Sequence, residues 1–169
     1  MSETYLPTPT VGRGRSFHSI TEENPCSGCS APCCRILLTP HPTPNSFSDL
    51  DYIRYVLAFP GTEMVVYPDG RWQLASHKQC SLLDNATSLC TVHGTPRKPK
   101  VCVHFDPYRC WYKRNFTTDD APDIVRLNAG GFERVLEVCA FDDDGVLQAS
   151  PTWEQLRELA HASPVEVTA

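Results

Sequence analysis

No stretch of this 169-residue chain approaches the roughly 20 consecutive apolar residues of a membrane span. Met1 to Ser19 contain no apolar run that could form the core of a secretory leader. Both absences point to a cytoplasmic protein, in a compartment that keeps thiols reduced. Basic residues are in deficit, with 15 Lys and Arg against 20 Asp and Glu and a formal net charge of −5. That balance argues against a general nucleic-acid binder. The one basic cluster, Arg97-Lys98-Pro99-Lys100, is short and reads as a solvated loop. No glycine-rich nucleotide-binding fingerprint follows a strand and opens a helix. Internal repeats and low-complexity tracts are also missing.

What is present is sulfur. The chain holds nine cysteines, and four of them fall in Cys26-Ser-Gly-Cys29-Ser-Ala-Pro-Cys33-Cys34. Four more follow at Cys80, Cys90, Cys102 and Cys110, and the last is Cys139. Thiols this dense oxidise, scramble and capture metal, so they ask for a metal, a cluster or disulfides. A reducing compartment and an odd cysteine count both favour metal. Two glycosylation sequons, at Asn85 and Asn115, are within what chance supplies. The length suits one domain with a real core, and an apolar fraction of 41% with fifteen prolines predicts many loops.

Residues 1–20 read as a flexible tail, and residues 21–169 as a single cysteine-cluster domain. Ile36 to Thr39 fit a short strand, after which Pro40, Pro42 and Pro44 are expected to break the chain. Ser46 or Ser48 is placed to cap a helix carrying Leu50, Ile53, Val56 and Leu57. Glu63–Tyr67 and Arg71–Ala75 flank Pro68-Asp69-Gly70, a strong β-hairpin signal. From Cys80 to Cys110, irregular spacing and frequent prolines predict metal-nucleated loops. Helical spacing links Ile124, Leu127, Val135, Leu136 and Cys139, with Gly130-Gly131 as a possible break, and a last helix is predicted from Thr152 to about Ala162. Residues 119–162 therefore read as a helical C-terminal extension. Asp142-Asp143-Asp144-Gly145 reads as an acidic turn rather than a calcium loop, which needs alternating ligands and a distal Glu. The fold class expected is α+β: a small metal-nucleated domain with a short hairpin, irregular cysteine-rich loops and a few helices.

Cys26 and Cys29 have the C-x2-C spacing that aims two thiolates at one ion from a tight turn. Structural zinc takes four such ligands, and iron–sulfur clusters commonly take four cysteines. Cys33 and Cys34 are adjacent, and in extended backbone neighbouring side chains face apart. One of the pair can therefore face a site shared with Cys26 and Cys29 while the other faces a site completed by the distal cysteines. A single four-ligand site, with the spare cysteine packed, is the simpler arrangement. The candidate metal ligands are Cys26, Cys29, Cys33, Cys34, Cys80, Cys90, Cys102 and Cys110, and Cys139 reads as a small core residue. His93 and His104 lie near Cys90 and Cys102 and read as surface or supporting histidines.

Laid out in this order, the chain resembles the zinc- or iron-chelating CxxCxxCC domain family. Cys26 to Cys34 correspond to the leading knuckle, Cys80-Ser81-Leu82-Leu83 to the second element, Cys90-Thr91-Val92-His93 to the third and Arg97 to Phe105 to the fourth. The resemblance covers about residues 24–112. Three residues, Ser30-Ala31-Pro32, precede Cys33 where the family pattern has two; His93 stands for the usual Tyr, and Val103 for the usual Arg. The resemblance implies a metal ion as the partner, bound as an iron–sulfur cluster or as zinc; the charge balance and the lack of an apolar span predict no role for nucleic acid or membrane. Some larger relatives are flagellin lysine methylases, so a cluster-dependent enzyme of redox or methyl-transfer type is the alternative. A disulfide-stapled extracellular domain is the third reading.

Overall fold

The computed structural model describes residues 26, 29–117 and 121–161. The predicted tail at 1–20 lies outside them, as does Ala162. Five helices, a four-stranded antiparallel sheet and a separate two-stranded hairpin make the domain α+β among these residues. Strands β1 (Leu37–His41), β2 (Thr62–Val66), β3 (Trp72–Ser76) and β4 (Val125–Leu127) lie in the order β1-β3-β2-β4.

The β2–β3 hairpin forms where Pro68-Asp69-Gly70 was expected to turn the chain. Tyr67 N–H donates to Arg71 O at 2.9 Å, and Gly70 has a φ of 83°, open to glycine without a Cβ clash. Pro40 does not end the first strand. It pairs with Gln73 inside β1, which is tolerated because β1 is an edge and one side of it needs no ladder donors.

Helix α1 (Phe47–Leu57) is capped by Ser46, whose hydroxyl accepts from Asp49 N–H at 3.2 Å, while Asp49 Oδ2 accepts from Asn45 N–H at 3.0 Å. Leu50, Ile53 and Leu57 share its buried face. The stretch at 125–127, predicted helical, is instead strand β4, paired with β2 through Met64↔Leu127. Three residues of apparent helical spacing carry little weight against a vacant sheet edge that needs pairing. Gly130-Gly131 does not divide the helix that follows. Both glycines lie in the first turn of α4 (Ala129–Glu137), where Asn128 Oδ1 caps Gly131 N–H at 2.8 Å. The extension also holds a hairpin, β5 (Ala140–Phe141) and β6 (Leu147–Ala149), turned through the acidic Asp142–Gly145 segment. The last helix, α5 (Trp153–His161), has a reciprocal cap between Thr152 and Gln155.

Alternation along β2 divides the core in two. Met64 and Val66 face α1, α4 and α5, joining Leu50, Ile53, Leu127, Phe132 and Leu156. Val65 and Tyr67 face the other way, joining Ile36, Ala75, Trp111 and Ile124. That second layer is covered by α3 (Trp111–Phe116) and is where the cysteine loops attach. Glu63, on the same side of β2 as Val65, binds Arg126 of β4 through two contacts of 2.7 and 2.9 Å, and the guanidinium lies 4.8 Å from the Phe116 ring centroid. Asn115 of α3 is fully buried and fully bonded, donating to Trp111 O and Asp123 Oδ2 and accepting from Asp123 N–H. A glycan on Asn115 is incompatible with this packing, so that sequon is not a modification site of the folded domain.

Candidate metal centre

Four short segments carry the eight clustered cysteines to the α3 side of the sheet. In the first, Cys29 N–H donates to Cys26 O at 3.2 Å, closing the turn of the knuckle. Ala31 follows with a left-handed φ of 55° and reverses the chain between Cys29 and Cys33. This is the stretch with one more residue than the family spacing. Pro32–Cys34 then form a 3-10 turn held by buried Ala31, Pro32 and Ile36. The Cys33-Cys34 pair is thus in a 3-10 turn and not in extended backbone as expected. The two thiols are within hydrogen-bond range of each other.

The second and third segments are tied to the first by backbone bonds. Cys80 N–H donates to Cys34 O at 2.7 Å. A single antiparallel bridge joins Leu83 to Cys90, and Thr91 N–H donates to Leu82 O at 2.8 Å. Buried Leu83 and Val92 anchor the loop. Arg35 staples these pieces from the side: it donates to Ser30 O at 2.9 Å, Gln79 Oε1 at 3.1 Å and Asn85 Oδ1 at 3.5 Å. Cys102 sits in the short helix α2 (Lys100–Val103), with its N–H on Pro99 O. Cys110 precedes α3, and its sulfur accepts from Lys113 N–H at 3.3 Å. The 3-10 turn packs directly on α3.

The electrostatic neighbours of each thiol show how they are grouped. Cys33 is pushed up to about 12, first by desolvation of its sulfur and then by the charge of and hydrogen bond to Cys34, with Cys110 and Cys26 adding. Cys34 is raised by burial and by Cys80, Cys90 and Cys102, against a lowering hydrogen bond from Cys33. Burial likewise raises Cys102, with Cys90 and Cys80 adding and Lys98 opposing. Cys110 is raised by burial, with Cys29 and Cys26 as its thiol neighbours and the Lys113 N–H opposing. Cys26 is raised by burial and Cys29, and Lys98 and Lys113 oppose. Tyr112 is pushed up to about 12 by burial and then by Cys33, Cys102, Cys110 and Cys34. These five thiols are neutral near pH 7 in this state, and binding a metal requires their protons to leave.

The donor chemistry, all sulfur, fits a metal–thiolate group in kind. Among the described residues, no group of three or more His, Cys, Asp or Glu side chains is placed so as to hold a metal ion. Bonds from sulfur to metal, more than packing, draw coordination spheres shut. No disulfide forms among the described residues, which include all nine cysteines. Cys139 lies apart, half-buried against the α1–α4–α5 core. His93, Arg97 and His104 are exposed. A cavity of about 220 Å³ lies on the opposite side of the sheet, among Leu50, Val66, Trp72, Val135, Trp153 and Leu156, and offers the thiols no chamber for a substrate.

Sequence reasoning missed three supporting residues. Arg35 was legible only as the residue after Cys34, and Tyr112 had no motif. Lys98 belongs to the basic cluster read as a solvated loop, yet it sits within charge range of both Cys26 and Cys102.

Residues 25–129 match the CxxCxxCC family model, described as "Putative zinc- or iron-chelating domain". The match reaches past the predicted limit of 112 and takes in α3 and β4. No curated protein and no solved structure matches the chain.

Proposed function

The chain belongs to the CxxCxxCC family of zinc- or iron-chelating domains, and on that premise we propose that it holds an iron–sulfur centre through Cys26, Cys29, Cys33, Cys34, Cys80, Cys90, Cys102 and Cys110. One observation carries this reading. Four segments with little regular structure of their own bring these eight cysteines to one side of the sheet, in mutual electrostatic range, and leave Cys139 out. An all-sulfur donor set with an adjacent cysteine pair is the ground for putting a cluster ahead of zinc, which takes four cysteines as well. When bound, such a group supplies one-electron redox capacity or structural cross-linking; the cysteines hold it, and Lys98 and Lys113 offset part of their charge. A cytoplasmic setting accords with keeping eight thiols reduced.

The test is purification without oxygen, followed by iron, zinc and acid-labile sulfide per chain and a visible spectrum. Iron with equimolar sulfide and thiolate-to-iron absorption is the expected result. Colourless protein carrying zinc would overturn the cluster and leave zinc chelation. Protein without metal would overturn both.

A further inference from the structure

Adjacent Cys33 and Cys34 keep different company. Apart from each other, the thiols acting on Cys33 are Cys110 and Cys26, while those acting on Cys34 are Cys80, Cys90 and Cys102. The division is consistent from the far side. Cys110 is influenced by Cys29 and Cys26, and Cys102 by Cys90 and Cys80. Backbone geometry agrees: Cys80 N–H is bonded to Cys34 O, the Leu83–Cys90 bridge folds Cys90 back toward Cys80, and the Pro32–Cys34 turn rests on the helix that Cys110 begins. Tyr112 is influenced by two thiols from each group, so it lies within charge range of both. Lys98 likewise faces one thiol of each, Cys26 and Cys102.

From this geometry we infer that the eight cysteines form two four-thiolate centres, Cys26/Cys29/Cys33/Cys110 and Cys34/Cys80/Cys90/Cys102, divided at the Cys33–Cys34 peptide. The inference rests on the metal–thiolate reading and adds the number and membership of the centres. Four sulfurs complete a tetrahedral ion or a cubane cluster, so eight divide without remainder. Each zinc tetrathiolate keeps a net charge of about −2, and a cation shared at Lys98 moderates the repulsion between two of them.

Zinc(II) titrated into the full-length, metal-free, reduced chain tests this without any mutation. At each step, native mass spectrometry counts bound zinc, and alkylation with peptide mapping shows which cysteines are shielded. The expected result is two zinc per chain, with each group of four shielded as a block and Cys139 alkylated throughout. Cys29→Ser and Cys90→Ser should each halve the zinc bound, from two per chain to one, and leave the other block shielded. Saturation at one zinc, or shielding that mixes the groups, would overturn the partition while leaving metal binding intact. No zinc uptake together with no metal in the anaerobically purified protein would overturn the metal–thiolate reading and the partition with it.

Discussion

At the scale of single residues, the second core layer depends on polar groups as well as apolar ones. Asn115 is fully buried and bonds in both directions to Asp123, which also pairs with Arg114 at 2.8 Å. Asn115→Ala would strand the Asp123 N–H away from water, a loss of about 1–3 kcal/mol that urea denaturation should register as a lower midpoint. Lys98 acts differently, through charge alone. Lys98→Gln should weaken metal affinity about 2- to 5-fold in a chelator competition, the scale of an exposed charge pair, with little effect on folding. Unchanged affinity would remove Lys98 from the metal centre. Cys139→Ser, by contrast, should leave metal per chain unaltered, since its neighbours are Leu, Val and aromatic side chains of the other layer.

At the scale of elements, caps and alternation account for most of the helices and strands. Ser46→Ala should cost about 1 kcal/mol through loss of the α1 cap. Asp49 adds a pH dependence with a definite sign. Hydrogen bonds from Asn45 N–H and Ser46 hold its carboxyl below the ordinary value of 3.8. A carboxylate lowered by folding contributes stability above its unfolded value, and that stability is lost as pH falls through the folded value. Thermal melts taken downward from about pH 5 should therefore show a steeper decline for the natural chain than for Asp49→Asn; parallel curves would mean that the bonds do not persist in solution. The α1 helix, the hairpin at Asp69-Gly70 and the α5 helix were all legible because each is signalled locally, by a cap or a turn residue. The strand at Val125–Leu127 was not. Three residues display no period, and pairing with β2 is decided by a partner some sixty positions away. Pro40 misled for a related reason: whether a proline ends a strand depends on whether that strand is an edge.

At the scale of the molecule, the two layers have different supports. The α1–α4–α5 layer is closed by large apolar side chains, Phe132 and Leu50 among them, and does not draw on the cysteine loops. The other layer leans on α3 and on loops whose regular structure amounts to short turns. Stripping metal with a chelator should therefore raise hydrogen exchange across residues 78–112 while β2, α1 and α4 stay protected. Uniform loss of protection would show that the metal holds the whole fold and not one side of it. No helix among the described residues is long and apolar enough to cross a membrane.

The sequence by itself determined the α+β class and the family, because spacing, caps and turn chemistry are local properties of the chain. Tertiary structure decided which thiols are neighbours. Loops bearing single cysteines have no period to read, and their placement depends on long-range bonds: Cys80 to Cys34, Leu83 to Cys90, and the Pro32–Cys34 turn against α3. The adjacent pair at Cys33 and Cys34 raised the expectation of a division. The fold, by wrapping distal loops around that turn, set which thiols stand near each member of the pair.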